Sequence, residues 1–186
     1  MCSIYFQELL HKKWGLKDPR GTGGECLQQL KDYRAITDPC QYGEAWPFDD
    51  VRLSFKEAGT PASFDVTRQY LGDVIFVAGP NAGAHGGPQG STARTFNAHF
   101  AQSYDLFRGG VKASMRAGLL TMALRGCEIA LLAGVSTGIY AGPHQQQIRQ
   151  EFADLVNEIL DEDVMAGGER VPLRNCFVKV VWTLLP

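Results

Sequence analysis

The chain has 186 residues, of which 45% are hydrophobic and 20% charged, and its formal net charge is -2. That length is enough for one core of ordinary size, and the slightly acidic balance gives no sign of a basic face for nucleic acid or anionic lipid, which disfavours a polynucleotide partner. No run of about 18 apolar residues occurs and the amino terminus has no signal-like h-region, so one soluble, intracellular α/β domain with no membrane contact is expected over residues 1–186.

In chain order, residues 2–13 and 25–34 carry short helical patterns, the first closing near Gly15 and the second opening after the Gly-rich 21–24. Residues 35–50 read as irregular, and residues 1–50 as an N-terminal extension packed on the domain. Val51, Leu53 and Phe55 alternate with Arg52 and Ser54, the period of a half-buried strand, whereas "VIFVA" at 74–78 is apolar throughout, as in a strand covered on both sides. Val111, Met115, Leu119 and Met122 put one apolar stripe on a helix over 111–125. That helix feeds a second wholly apolar strand, "IALLAG" at 129–134. Ile148, Phe152, Leu155 and Ile159 mark a helix from about Pro143, and 176–185 reads as a last strand.

This alternation predicts a mostly parallel sheet with helices on its faces and ligands beyond the carboxyl ends of the strands, with 74–78 and 129–134 side by side. The five cysteines, at 2, 26, 40, 127 and 176, are odd in number, scattered and never spaced CxxC, so neither disulfides nor a metal site are expected. Cys127 and Cys176 border apolar runs as small hydrophobes.

The 21 glycines, above the usual ~7% of a chain of this length, cluster after the two apolar strands. One cluster is "GPNAGAHGGPQG" at 79–90 and the other "GVSTGIYAGP" at 134–143. Such loops are often only tight turns. Two in matched positions are suited to gripping a diphosphate, because glycine lets backbone N–H groups approach anionic oxygens closely. Neither loop is followed by the Gly-Lys-Ser/Thr of a P-loop, and neither gives the GxGxxG of a dinucleotide fold.

The second loop resembles the ligand loop of the macrodomain family, whose usual form is Ser-Thr-Gly-Ile-Tyr-Gly after a strand. A further match runs through "FDVTRQYLGDVIFVAGPNAGAHGG", which is similar to the family's Gly-Asp-Ile-Thr turn, its strand ending in Asn-Ala-Ala-Asn, and its glycine run. The resemblance spans roughly 64–143 and implies a three-layer α/β/α fold with a mixed, mostly parallel sheet, and an ADP-ribose site. By that resemblance Asp65 takes the adenine amino group, Val66 adds a backbone contact, and Gly134, Ser136, Thr137, Gly138 and Ile139 wrap the diphosphate. Tyr140, on the same loop, lies near the distal ribose, Asn81 takes the place of the last Asn in Asn-Ala-Ala-Asn, and Gly86 and Gly87 take those of the family's glycine run. Asp65 as a turn residue and Tyr140 as a core residue are the plainer alternatives. The chain departs from the family's pattern where Ala78, Gly79 and Pro80 replace Asn-Ala-Ala, where Gln89 stands near the place of an aspartate, and where "STARTFNAHFAQSYDLFRGG" fills 91–110 in place of a strand.

Breaking the bond at the anomeric carbon of ADP-ribose needs a positioned water with a base or dipole. Asn81, His85 and Gln89 are the candidates for that role. Of these three residue types only histidine ordinarily titrates near neutrality and so suits proton transfer, which singles out His85; its plainer alternative is a surface loop residue, as for His99 and His144. The expected activity is binding of ADP-ribose and its hydrolysis from a modified protein or related conjugate by a monomer needing no cofactor. The alternatives are a non-catalytic ADP-ribose reader and a nucleotide-metabolising α/β enzyme alike only around the second loop.

Overall fold

In a computed structural model of the protein, residues 43, 45–54, 69–83 and 97–184 are described. They form a mixed α/β arrangement of six strands and three α-helices. Strand β1 (Ala45–Ser54) pairs antiparallel with β2 (Gln69–Val77), with a register shift between Phe48 and Val51. Helix α1 (Ala98–Gln102) and helix α2 (Tyr104–Leu124) follow. Strand β3 (Ile129–Ala133) leads through a 3-10 turn (Ile139–His144) into α3 (Gln145–Leu160). The hairpin β4 (Asp163–Ala166) and β5 (Glu169–Pro172) precedes a second 3-10 turn (Leu173–Cys176) and β6 (Lys179–Thr183), which returns parallel to β3.

Four sequence expectations change. The irregular stretch 35–50 contains the first half of β1, held by backbone pairing to β2 rather than by an alternating pattern. The strands at 74–78 and 129–134 are not hydrogen-bonded neighbours, because β2 takes β1 as its partner and β3 takes β6. Among the described residues the strands form three separate two-stranded sheets, of which β3–β6 is parallel and the other two antiparallel, in place of one mostly parallel sheet. Nor is β3 covered on both faces by described residues. Ala130 and Leu132 point into the core, while Ile129 and Leu131 are 58% and 62% exposed. Both long helices contribute to the core on the Ala130 side.

Helix α2 organises that core. Its 21 residues contain no proline, and Ser103 caps it by accepting the Leu106 N–H at 3.3 Å. It ends in a Schellman arrangement: the Gly126 N–H donates to the Ala123 carbonyl, the Cys127 N–H to the Met122 carbonyl, both at 3.0 Å, with Gly126 at φ 70°. One face buries Phe107, Val111, Met115 and Leu119 against Ile148, Phe152, Leu155 and Ile159 of α3. A second face presents Gly110, Ser114 and Gly118, four residues apart, to β2 and its following loop. A Cβ on Gly110 would sit 3.0 Å from the Pro80 ring, and one on Gly118 3.3 Å from Val77. The Ser114 hydroxyl lies 2.5 Å from the Ala78 carbonyl and 2.9 Å from that of Gly110, which fastens the end of β2 to the helix. Cys176 packs against the core as expected; Cys127 is half-buried, and burial, with the Asp73 charge, raises its thiol pKa.

A ladder of polar contacts joins α2 to α3 and to the turn that follows it at the surface. Tyr104, Arg108, Lys112 and Arg116 recur every fourth residue and meet Glu151, Glu158 and Glu162. Hydrogen bonds from Gln147, Tyr104 and Arg108 hold the Glu151 carboxyl below its ordinary pKa, and bonds from Arg108 and Lys112 do the same for Glu158. A carboxylate favoured in this way stabilises the fold above its unfolded pKa, and that contribution disappears as pH falls through the lower folded value. Urea unfolding followed below about pH 4.5 should therefore show a shallower loss of stability in the Glu151→Gln, Glu158→Gln double variant than in the wild type.

Candidate functional site

The two glycine loops meet. Between them lies an open cavity of about 330 Å³, lined by Val77, Ala78, Gly79 and Asn81 on one side and by Val135, Ser136 and Tyr140 on the other. β2 delivers the first set and β3 the second. The loops touch although their strands do not pair, because α2 carries β2 and the 3-10 turn bends back over residues 79–83. The Ala82 N–H donates to the Tyr140 carbonyl at 2.7 Å.

Close packing of backbone on backbone explains the glycines at this junction. A Cβ on Gly83 would overlap the Ile139 carbonyl, and one on Gly142 would overlap the Ala82 carbonyl, both well under the 3.0 Å that real Cβ atoms respect. Gly142 also has φ 53°, the left-handed region that glycine enters without penalty, and it kinks the 3-10 turn. Ser136 has φ 54° and is the non-glycine residue with positive φ among those described. That conformation costs about 1–2 kcal/mol for an L side chain, so strain is held in the cavity wall.

Asn81 borders the cavity but is only 2% exposed, and its Oδ1 accepts the Gly83 N–H at 2.9 Å. The side-chain carbonyl therefore shapes the loop. Thr137 is buried too, its hydroxyl donating to the Gly134 carbonyl at 2.9 Å. Gly134 is a packing position, since a Cβ there would collide with Thr137. Its N–H donates to the Thr183 carbonyl at 3.1 Å and so roots the second loop on β6. Gly138 differs, with nothing within 4 Å of its Cβ position. Ile139 and Tyr140 are 55% and 40% exposed at the rim.

Of the residues singled out from sequence, Asn81, Ser136 and Tyr140 line one cavity, with Gly134, Thr137, Gly138 and Ile139 in the loop that builds it. Asp65, Val66, His85, Gly86, Gly87 and Gln89 lie outside the described residues. Val77 and Val135 were not singled out from sequence, and Ala78 and Gly79 were noted only as departures from the family's pattern, although each adjoins a strand end and a glycine loop. Asn97, 3% exposed, was not singled out either; its N–H donates to the Asn81 carbonyl and its Oδ1 caps α1 through the His99 N–H, both at 2.9 Å.

The described lining contains no carboxylate, amine or imidazole. Its polar groups are backbone, an amide, a hydroxyl and a phenol, suited to neutral hydroxyls and to an anion held by N–H groups. Among the described residues no helix is long and apolar enough to cross a membrane. In comparison with known proteins, the chain matches no family model, no curated protein and no solved structure.

Proposed function

We propose that the protein has a divergent macrodomain-like, three-layer fold, binds ADP-ribose between its two glycine loops and hydrolyses it from a modified protein or related conjugate. The observation that carries the reading is the convergence of loops 79–83 and 134–142 on one cavity, with Asn81, Ser136 and Tyr140 in its wall. Residues 136–140 wrap the diphosphate, with Gly134 at the root of their loop, and Asp65 and Val66 hold the adenine. The distal ribose lies towards Asn81 and Tyr140, where a water positioned by Asn81, His85 or Gln89 attacks the anomeric carbon.

The non-catalytic reader is the second reading, and the lack of an acid–base side chain in the described lining favours it. Calorimetry with ADP-ribose tests binding: Asp65→Ala should weaken it by about 1.5–3 kcal/mol, the worth of a hydrogen bond to a charged group. Gly138→Val should abolish it by filling the space the ligand's phosphates need. No binding by the wild type would overturn the proposal. Incubation with ADP-ribosylated substrates then separates the readings, since an enzyme releases ADP-ribose and loses about 100- to 10,000-fold in rate on His85→Ala if that imidazole moves the proton. Asn81→Ala should lower turnover, and because its carbonyl holds Gly83, thermal stability as well.

A further inference from the structure

We infer that His144 is a positioning residue for the cavity, closing a circuit of hydrogen bonds that sets the separation of the two loops. Only the ligand in this inference rests on the ADP-ribose reading; the circuit itself is geometric. From the first loop, the Ala82 N–H donates to the Tyr140 carbonyl at 2.7 Å. Four residues further on, at the end of the 3-10 turn, His144 Nε2 lies 2.7 Å from the Phe100 carbonyl oxygen. A carbonyl only accepts, so Nε2 carries the hydrogen. Phe100 belongs to α1, which Asn97 caps, and the Asn97 N–H donates back to the Asn81 carbonyl at 2.9 Å. Asn81 adjoins Ala82, and the circuit is complete.

Two of the three links that join separate segments are backbone bonds, which no side-chain substitution deletes. The third depends on the imidazole. Packing fixes its aim: the ring centroid lies 5.4 Å from that of Tyr104 and 5.3 Å from that of Phe107. Phe107 is fully buried, and the Tyr104 hydroxyl donates to Glu151 of α3 at 2.8 Å. The second loop is thereby referred to both long helices, and the first loop to the second through α1. Without the Nε2–H, loop 134–144 would keep the Ala82 bond to the first loop and the Gly134 bond to β6 while losing its hydrogen bond to α1.

The test uses the full chain with His144→Phe, which keeps an aromatic ring but has no N–H, and His144→Gln, whose amide nitrogen reaches the place of Nε2. Amide hydrogen exchange at Ala82 and Asn97 should be about tenfold faster in His144→Phe, while amides in the middle of α2 keep their rates. His144→Gln should restore both sites to within about twofold of wild type. ADP-ribose affinity should fall about five- to tenfold in the first variant and recover in the second. Unchanged exchange at Ala82 and Asn97 in His144→Phe, or equally fast exchange in His144→Gln, would overturn the inference. If His144→Phe does not fold, His144→Asn, too short to reach Phe100, takes its place against His144→Gln, and equal exchange in that pair overturns the inference too. A wild type that binds no ADP-ribose removes the ligand and leaves the exchange result to decide on the circuit.

Discussion

Gly142→Ala should cost about 3 kcal/mol of stability and abolish ligand binding. Two penalties combine. Alanine at φ 53° and ψ -124°, a conformation that glycine adopts far more readily than other residues, costs about 1–3 kcal/mol, and the added Cβ overlaps the Ala82 carbonyl, a backbone group that cannot swing aside, at a further cost of about 1–3 kcal/mol. For a chain of this size the melting temperature should drop by roughly 10 °C in a thermal scan. Relief of the overlap requires the loops to part, which breaks the Ala82–Tyr140 bond and deforms the cavity. Gly138→Ala is the control: its Cβ meets nothing within 4 Å, so its stability should stay within about 0.5 kcal/mol of wild type. An unchanged melting temperature in Gly142→Ala would show that the loops are not interlocked.

Phe107→Ala should lower stability by about 3–5 kcal/mol, read as a fall in the urea midpoint at unchanged slope. Phe107 is fully buried in the cluster that α2 forms with Phe100 of α1 and Phe152 of α3, so no neighbour can collapse into the space without moving a helix. Phe107→Leu, close in volume, should cost less than about 1.5 kcal/mol. The alanine variant also withdraws the ring beneath His144, so its loops should exchange amide hydrogens faster even at temperatures where the core stays folded.

The elements built from local pattern were legible in the sequence. The stripe of Val111, Met115 and Leu119 predicts α2, Ile148 to Ile159 predicts α3, and the glycine clusters predict loops after β2 and β3, which end at Val77 and Ala133. Elements that depend on a distant partner were not. The first half of β1 contains Pro47 and Asp49–Asp50 and has no alternation to betray it; it is a strand because β2 offers it backbone partners. The hairpin β4–β5 left one local sign, the Gly167–Gly168 pair at φ 61° and 87° between two short segments of mixed polarity. His144 looks in sequence like any loop histidine, since its hydrogen-bond partner is 44 residues away. Asn81 was legible as a loop residue beside the cavity. That its carbonyl would turn back to Gly83 depends on the loop's own conformation, which residue type alone does not specify.

The separate pairing of β1 with β2 and of β3 with β6 leaves a seam between the two strand pairs, with no described ladder of hydrogen bonds across it. The cavity opens at one end of that seam, and the Ala82–Tyr140 bond crosses it there. Mechanically the halves are two plates mounted on a common beam, α2, and joined at the rim. Relative motion along such a seam would be taken up by the loops that line the cavity before it distorted the strands, because a loop has fewer backbone hydrogen bonds to break than a paired strand. A ligand that touched both loops would act as a rivet, and its affinity would include the stiffness it adds to the join.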